Sequence, residues 1–559
     1  MWLILHGSGL TMLRLTPIIE AMRSLSKLLA LSLALSGAFA CKTVVAQEAG
    51  GRVVLVLPFD NRSGNPSLNW IGDSFPDTLN KRLDSAGFLT ISHDDRAFAL
   101  DHLGLPVGFK PSRATTIRIA QQLDANYVIV GSYTVQDVPG GGAGNDKIAI
   151  QAQVLSVDAL TLSAPMQDGA ELARLYDAEN AVAWKVARTI DPHFSVAEAT
   201  FLFAPGGVPL PAFEDYIRGT NAPTADERVK RLQAAVAVAP SYAAALLALG
   251  KEQYAARDYA AADATLSKVP QGDRLALEAN FYLGLARFNS ANYAGAETAF
   301  SFVAQRLPLP EVVNDQAVAF SRQGKDGVAY FQRASAADPS DEDYHYNLAI
   351  ALFRRGDTVD ALKEADAALK LKPNDNEAGA LRAHLALAAP GTKLAANSNA
   401  GFSPVERIRR DYSEAGFRQA AFQLDQMRAA RMATLPPAKQ AAEYTDLGTG
   451  YLNQGLLPEA EQEFQSALAA DSGNSAAHAG LAQIREASSS TAEARSEAQA
   501  SLRLKPNAAA FLVLARLDVA ANNLPAAVSD VSQAIHVEPG NSAALAMRQN
   551  LQQRGQAVP

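Results

Sequence analysis

The sequence predicts an α+β protein of several domains, in which a small α/β N-terminal domain is followed by an all-α superhelical solenoid. Its 559 residues are too many for a single hydrophobic core. Strand and helix patterns alternate over residues 52–190, as in a compact α/β domain. Beyond residue 210 only helical patterns remain, and small residues recur there with a fixed period. Gly250 and Gly284, for example, lie 34 positions apart, which is typical of stacked helical hairpins.

The first 46 residues show the order of features of an export signal. A basic segment from Met22 to Lys27 is followed by an apolar run from Leu28 to Phe39 and by small residues. The apolar run is too short for a stable membrane span and is typical of a signal peptide. We therefore interpret residues 1–46 as a signal peptide, and residues 1–21 as an extension upstream of the true start.

Cys41 is the only cysteine of the chain, which excludes an intramolecular disulfide and a cysteine-based metal site. Two outcomes of processing stay open. Cleavage after Ala40 or Ala46 fits an ordinary signal peptidase. Alternatively, the small residues before Cys41 resemble a lipoprotein box, which makes Cys41 the lipidation candidate. Both outcomes predict a periplasmic chain, and the second anchors it to the outer membrane as a lipoprotein.

Residues 52–190 read as strands and helices that alternate before a hairpin closes the domain. Apolar runs bounded by turn residues predict the strands, and apolar residues at four-residue steps predict the helices. The predicted elements are a strand at 53–59, a turn at 60–66, a helix at 72–86, a strand at 88–92, helices at 95–103 and 112–123, strands at 126–135 and 148–157 around a glycine-rich loop at 140–144, and a helix at 172–190.

Several motifs in this region resemble one known family. They are Leu57-Pro58-Phe59 with Asn61 and Ser63 to Pro66, Trp70 to Asp73, Ile119 to Ser132, and the alternating strand Ile150 to Val154. Together they resemble the TolB amino-terminal-like domain, which is close to outer-membrane assembly lipoproteins. The resemblance covers residues 52–190 and implies an α/β docking domain of the cell envelope.

A segment rich in proline and glycine, residues 191–210, is interpreted as a linker. After it, a small residue in one helix is followed twelve positions later by a small residue in the next, and a proline follows twelve positions after that. Small residues let paired helices approach closely, and proline ends the second helix. The residues assigned to this packing pattern are Gly250, Ala262, Gly284, Ala296, Phe300, Pro308, Ala361, Pro373, Gly448, Tyr451, Ala460, Phe464, Ala494 and Pro506.

This pattern resembles the tetratricopeptide repeat (TPR). We predict a first array segment at 211–390, an interrupting loop rich in glycine, asparagine and serine at 391–401, and a second segment at 402–555. The second segment is expected to begin with a divergent hairpin at 402–434 and to end in a capping helix with a polar outer face.

The TPR resemblance implies a concave groove lined by positions 5, 9 and 12 of each repeat. Aromatic anchors in such a groove suit a partner helix or an extended peptide. The alternative is that these side chains pack against the next hairpin. An asparagine and lysine clamp for carboxyl-terminal peptides is not apparent at these positions. The groove candidates are Phe281, Leu285, Phe288, Tyr346, Ile350 and Phe353.

No pattern of catalytic, cofactor-binding or metal-ligating residues emerges. The eight histidines are scattered without ligand spacing, and no nucleophile elbow or phosphate loop is present. The net charge of −8 argues against a general nucleic-acid binder. We therefore predict no catalytic residue, cofactor or metal, and membrane contact only through a lipid at Cys41.

The leading functional hypothesis is a non-catalytic exported scaffold or adaptor of the bacterial cell envelope that binds protein or peptide partners through the groove. The first alternative is an assembly factor for an outer-membrane or secreted structure. Two others come from different classes, a cytoplasmic sensory or regulatory protein and a hydrolase whose site lies at the strand ends of the α/β domain.

Overall fold

The structure is a computed structural model and describes residues 52–105, 111–138, 145–203, 207–394, 402–409 and 427–558. Three predicted features lie wholly outside these residues: the signal peptide, the lipidation candidate Cys41 and the glycine-rich loop at 140–144. Most of the interrupting loop and much of the hairpin at 402–434 also lie outside them. In the described part of the chain, no helix is both long and apolar enough to cross a membrane.

Within the described residues, seven strands form one mixed sheet of order β3-β1-β4-β5-β6, to which β2 and β7 add on β4 and β5. Strand β1 pairs in parallel with β3 and β4, whereas β4 and β5 form a long antiparallel hairpin. The strands are β1 (Val53–Val56), β2 (Asp60–Asn61), β3 (Leu89–Thr90), β4 (Tyr127–Gln136), β5 (Lys147–Ser156), β6 (Thr161–Leu162) and β7 (Met166–Glu171).

Helices cover both faces of this sheet. Alternation along β1 sends Val54 and Val56 into one core and Leu55 into the other. The first core contains α1 and α4, and the second contains α3, so β1 is buried on both sides and reads as a continuous apolar run. The helices of this domain are α1 (Trp70–Ser85), α2 (His93–His102), α3 (Arg113–Gln122) and α4 (Leu175–Ile190).

Strand β7 has no counterpart among the predicted elements. Its sequence, MQDGAE, carries only one large apolar side chain, and its residues alternate between half-buried and exposed. Pairing with β5 over Lys147–Ala152 holds it in the sheet. A strand that is held mainly by main-chain hydrogen bonds needs no alternation of apolar side chains. A prediction based on hydrophobic periodicity therefore misses an edge strand of this kind.

After the sheet the chain is helical, as the predicted solenoid requires. The helices are α5 (Glu198–Leu202), α6 (Leu210–Thr220), α7 (Ala225–Val238), α8 (Ala243–Ala255), α9 (Tyr259–Leu266), α10 (Ala276–Asn289), α11 (Tyr293–Ala304), α12 (Pro310–Arg322), α13 (Val328–Ala337), α14 (Glu342–Arg355), α15 (Thr358–Leu371), α16 (Asn376–Leu387), α17 (Pro437–Asn453), α18 (Leu457–Ala470), α19 (Ser475–Ala487), α20 (Thr491–Leu504), α21 (Ala508–Ala520), α22 (Leu524–Val537) and α23 (Ser542–Gln553). Consecutive helices pack against each other from α6 to α16 and again from α17 to α23.

Close approach of paired helices explains the glycines in the repeat pattern. A Cβ atom on Gly284 would lie 2.6 Å from the ring of Phe300, and one on Gly448 would lie 2.8 Å from the ring of Phe464. A Cβ atom on Gly250 would meet Leu266 at 2.4 Å. The alanines of the pattern, Ala262, Ala296, Ala361, Ala460 and Ala494, are fully buried, Phe300 and Phe464 are buried, Tyr451 is half-buried, and Pro308, Pro373 and Pro506 are exposed just beyond helix ends.

The prediction of a linker at 191–210 is wrong for the described residues 194–203. This segment contains α5, and Phe194 and Phe201 are buried in the core that also holds α1 and α4. The same core continues to Phe213 of α6. Proline and glycine near the segment suggested an open spacer, but its aromatic side chains anchor it between the α/β domain and the first helical pair.

The same segment also holds the second part of the array. The backbone N–H of Ala197 donates to Glu461 Oε1 at 3.0 Å, and Arg485 donates to the hydroxyl of Thr200 at 2.7 Å. Arg485 further makes two hydrogen bonds of 2.7 Å to the fully buried carboxylate of Glu461. The α/β domain, residues 194–203 and helices α18 and α19 therefore form one packed assembly.

The expected hairpin at 402–434 is not what the described part of that range shows. Residues 402–409 form neither helix nor strand, and helix is present only at 427–433. The prediction that the second array segment begins at residue 402 is therefore wrong for residues 402–409. Polar contacts of these residues to α12, α14 and α16 take the place of the packed helical hairpin that the sequence predicts.

Candidate peptide-binding groove of the helical array

Residues 402–409, called the strap from here on, lie across three alternate helices of the first part of the array. The strap contacts α12, α14 and α16 or the residues just before these helices. Its residues alternate, with Pro404 and Glu406 buried and Ser403 and Val405 exposed. This alternation is that of an extended polypeptide lying on a surface.

Two buried asparagines bind the main chain of the strap. The Oδ1 atom of Asn347 accepts a hydrogen bond of 2.7 Å from the Arg407 N–H, and its Nδ2 group donates one of 2.7 Å to the Arg407 carbonyl. Asn314 donates to the same carbonyl at 3.1 Å, and its own Oδ1 accepts from Asn347 at 2.8 Å. Both asparagines are fully buried. Main-chain groups are common to all residues, so this pair recognises an extended backbone rather than a particular side chain.

An acidic pocket holds the side chain of Arg407. Its guanidinium donates to Asp343 at 2.7 Å, to both oxygens of Asp375 at 2.7 and 2.8 Å, and to Glu377 at 2.7 Å. The ring of Tyr346 lies beneath it, with 4.0 Å from the guanidinium carbon to the ring centroid. Forked bonds of this kind are matched to arginine rather than lysine.

Charge pairing changes the pKa values in this pocket. Hydrogen bonds from Arg407 lower the pKa of Asp375 to about 2. Burial alone would lower the pKa of Arg407, but its bonds to Asp375, Asp343 and Glu377 raise it above the ordinary value. The pocket therefore keeps its opposite charges across the neutral pH range.

Arg409 extends the acidic contacts toward α12. Its guanidinium pairs with Asp341, and its backbone N–H donates to Asp315 at 2.8 Å. Asp315 is fully buried, and burial raises its pKa well above the usual range. The Arg409 guanidinium also lies 5.6 Å from the ring centroid of Tyr344. The two arginines of the strap thus lie along a row of carboxylates.

A basic pocket holds the acidic residue of the strap. The Glu406 side chain is fully buried and accepts from the hydroxyl of Ser321 at 2.7 Å. It pairs with Arg354, and Arg322 Nε lies 3.3 Å from its second oxygen. The groove is therefore positively charged where it holds Glu406 and negatively charged where it holds Arg407 and Arg409. Its charges are opposite to those of the strap at each of these positions.

Two apolar contacts hold the ends of the strap. The ring of Phe402 stacks on His384 of α16 with a centroid distance of 3.6 Å. Ile408 packs against the core formed by α10, α11 and α12. These contacts are few beside the charged ones, so the strap is bound mainly by polar interactions.

Comparison with known proteins identifies two stretches of the helical part. The family model described as tetratricopeptide repeat matches residues 315–376 and 445–509, and the first match contains Asn347 with Asp343 and Asp375 of the acidic pocket. These two stretches are tetratricopeptide repeats. No curated protein sequence matches it significantly.

Solved structures similar to the chain include a tetratricopeptide repeat protein, yeast Tom70 and the C-terminal domain of LpoB. A tetratricopeptide repeat protein from Parabacteroides merdae is 10% identical and covers 55% of this chain and 97% of its own, with a TM-score of 0.24. Yeast Tom70 is also 10% identical and covers 68% and 93%, with a TM-score of 0.23. The C-terminal domain of LpoB from Salmonella enterica is 22% identical and covers 22% and 83%, with a TM-score of 0.17.

The predicted groove residues lie mostly inside the TPR array. Phe281 contacts Phe300, with 6.0 Å between ring centroids, and Tyr346 lies beneath Arg407 of the strap. Burial of Phe281 and Leu285 in a core favours the alternative that such side chains pack within the array, whereas Tyr346 contacts the strap. The role of the six residues as partner contacts stays a prediction. Phe281, Leu285, Tyr346, Ile350 and Phe353 are buried, and Phe288 is partly buried.

Sequence reasoning missed the polar residues that bind the strap in the TPR array. Asn314 and Asn347 lie 33 positions apart, so the same repeat position carries an asparagine in two successive repeats. Asp341 and Asp375 are the N-cap residues of α14 and α16 and read as ordinary helix starts. Only the recurrence of the asparagine was a usable signal, because the arginines that complete the site come from outside these repeats.

The second part of the TPR array carries an open cleft on its first helix. This cleft on α17 has a volume of about 430 Å³ and is lined by Glu443, Asp446, Leu447, Gly450, Tyr451 and Gln454. In the part of the chain that the structure describes, no group of three or more histidine, cysteine, aspartate or glutamate residues is arranged to hold a metal ion.

Proposed function

We propose that this protein is an exported, non-catalytic scaffold of the bacterial cell envelope that binds partner proteins through the inner faces of its TPR array. The observation that carries the proposal is the strap, since the array already holds an extended polypeptide by its backbone and its side chains. Surfaces that bind extended chains in this way are the usual means by which helical repeats recognise partners.

The packing of the α/β domain supports a scaffold role. Its core continues through Phe201 into Phe213 of α6, and residues 194–203 are bonded to α18 and α19. Partners held by the sheet domain and by the array would therefore be kept at a fixed spacing. The resemblance of residues 52–190 to the TolB amino-terminal-like domain supports an envelope partner for the sheet domain, and that resemblance stays a prediction.

Site-specific photo-crosslinking in cells tests the interaction surface. A photoreactive residue at Asp446 or Gln454 would face the cleft on α17, whereas one at Val359, which is 73% exposed on α15, serves as the control. We expect discrete adducts with envelope proteins from the two cleft positions and not from the control. Equal adducts at all three positions, or none, would contradict the proposed inner-face interaction.

Processing of the amino terminus tests the compartment. The mature chain is purified from fractionated cells, and the mass of its amino-terminal peptide is measured. A diacylated Cys41 indicates an outer-membrane anchor, and cleavage after Ala40 or Ala46 indicates a free periplasmic chain. An uncleaved chain in the cytoplasm would overturn export and favour the alternative of a cytoplasmic regulator.

The identity of the crosslinked proteins separates the envelope scaffold from its nearest alternative. Adducts restricted to subunits of one secreted or outer-membrane structure would favour an assembly factor. Adducts with resident envelope proteins would favour the scaffold.

A further inference from the structure

We infer that the strap is an internal ligand of the groove on α12, α14 and α16, and that the groove takes an extended partner segment with the charge order acidic, basic, any residue, basic. The strap supplies this order as Glu406, Arg407, Ile408 and Arg409. In the absence of such a partner, the strap keeps the groove closed. The inference names the ligand of the array and so rests on the proposed function.

The groove is shaped independently of the strap. Asp341 accepts hydrogen bonds from the N–H groups of Asp343 and Tyr344, and Asp375 accepts from Glu377 and Ala378. These capping bonds hold both carboxylates at helix N-termini, where negative charge is stabilised. The acidic pocket therefore keeps its geometry when the arginines leave.

The strap is bound in a way that allows its release. Its main chain is held by the side chains of Asn314, Asn347 and Asp315, and its arginines are held by carboxylates. The helices beneath are held instead by apolar cores. The partly exposed pairs of Arg407 with Glu377 and of Arg409 with Asp341 weaken with salt, whereas apolar packing does not, so the strap can leave while the helices stay folded.

Charge selects the register of the incoming segment. Glu406 meets Arg322 and Arg354, whereas Arg407 and Arg409 meet carboxylates. A segment shifted by one residue would place like charges together in at least one of these pockets, which costs binding energy. The asparagines add affinity without adding sequence selection.

Tethering explains how the strap competes with a free partner segment for the groove. A ligand joined to its own receptor by a short chain acts at an effective concentration of about a millimolar. A free segment with the same contacts therefore binds poorly to the native chain. It binds well once the arginines of the strap are removed.

Peptide binding to the full chain tests this inference. The probe is a fluorescent peptide with the sequence of residues 402–409 and blocked ends. Binding is measured by anisotropy to the native chain, to the double variant Arg407→Ala with Arg409→Ala, and to a matched control, Arg382→Ala with Arg431→Ala, whose arginines form exposed ion pairs elsewhere. We expect the strap variant to bind at least about 10-fold more tightly than the native chain or the control.

Further variants show that the peptide occupies the groove. Adding Asn347→Ala to the strap variant should abolish binding, and a peptide with both arginines replaced by alanine should not bind. Equal affinity of the strap variant and the native chain would overturn the inference. Loss of helical circular dichroism in the strap variant would also overturn it, because the strap would then be part of the folded core.

Hydrogen exchange on the native chain provides a measurement without any variant. The amides of Arg407 and Arg409 should exchange well before those of α14, and faster in high salt. Exchange of the strap only together with α14 would overturn the inference. Failure of these tests leaves envelope crosslinking at Asp446 and Gln454 unaffected, so the proposed function is judged separately.

Discussion

Glycine positions in the array differ sharply in how much space surrounds the Cβ atom that another residue would carry there. Gly284 and Gly448 sit where a Cβ atom would enter an aromatic ring of the paired helix, whereas Gly379 of α16 has no heavy atom within 4 Å of its Cβ position. The same residue type therefore has opposite consequences at these positions. At Gly284 it permits the approach of two helices, and at Gly379 it only lowers helix propensity.

Gly284→Ala should destabilise the protein by about 1–3 kcal/mol, because the new methyl group overlaps Phe300 in a close-packed site. Gly379→Ala is the matched control and should be neutral or stabilising by up to about 1 kcal/mol. Thermal unfolding followed by circular dichroism measures both. A lower Tm for Gly379→Ala than for Gly284→Ala would contradict this account of helix packing.

Glu179 is a buried carboxyl group between α1 and α4. Its side chain accepts a hydrogen bond from Ser74, and its other oxygen, Oε2, has no partner among the described residues. Burial raises its pKa from 4.5 to about 8. The folded chain therefore holds this proton up to about pH 8, whereas the unfolded chain releases it near pH 4.5.

The stabilisation that protonated Glu179 contributes to folding is fully present below pH 4.5 and is lost progressively as the pH rises toward about 8. Glu179→Gln keeps an acceptor for Ser74 but cannot ionise, so its advantage in Tm over the native chain should grow between pH 5 and pH 8. Glu171→Gln, at an exposed position of β7, is the control. A difference that stays constant with pH would show that Glu179 is ionised in the folded protein.

At the scale of elements, short irregular segments connect the parts of this protein. Residues 194–203 join the sheet domain to α18 and α19, and the strap joins three repeats. Both use side-chain contacts to residues far away in the chain, such as Ala197 to Glu461 and Arg407 to Asn347. Neither segment forms a packed helical hairpin. Proline and glycine predict a linker for the first, and the second is predicted as part of a divergent hairpin of the array.

Arg485→Ala should destabilise the protein by about 3–5 kcal/mol, because it leaves the buried carboxylate of Glu461 without its counterion. Arg382→Ala removes an ion pair in which both side chains are about half exposed and should cost at most about 1 kcal/mol. Tm values and limited proteolysis at 194–203 provide the readouts. Equal effects of the two substitutions would contradict the buried junction.

At the scale of the whole molecule, the sheet domain and the first helical pairs share one hydrophobic core. Phe201 is fully buried in it, together with Leu79 of α1, Val182 of α4 and Phe213 of α6. A core that crosses a predicted boundary couples the stability of the parts on either side. The α/β domain and the start of the array should therefore unfold together.

Phe201→Ala should lower the stability by about 3–5 kcal/mol through the cavity it leaves. Trp70 and Trp184 report on the sheet domain by fluorescence, and far-ultraviolet circular dichroism reports mainly on the array. Both signals should shift together in Phe201→Ala and not in the control Phe98→Ala, whose side chain is 70% exposed. A shift in only one signal would show that the two parts unfold independently.

The sequence by itself determined the fold class, the TPR array and much of the sheet. Strand β1, helix α1 and the helical pairs depend on local periods and on small residues at fixed spacing, and these are written into the chain. The finer prediction of an exported envelope scaffold also comes from the sequence and stays a proposal.

Only the tertiary structure decided where the strap lies, how residues 194–203 are packed and that β7 joins the sheet. Asn314 and Arg407 are 93 residues apart in the chain, and Arg485 and Thr200 are 285 apart. Polar contacts between such distant residues have no periodic signature, and each residue alone resembles a solvated surface group. Their function appears only when folding brings them together.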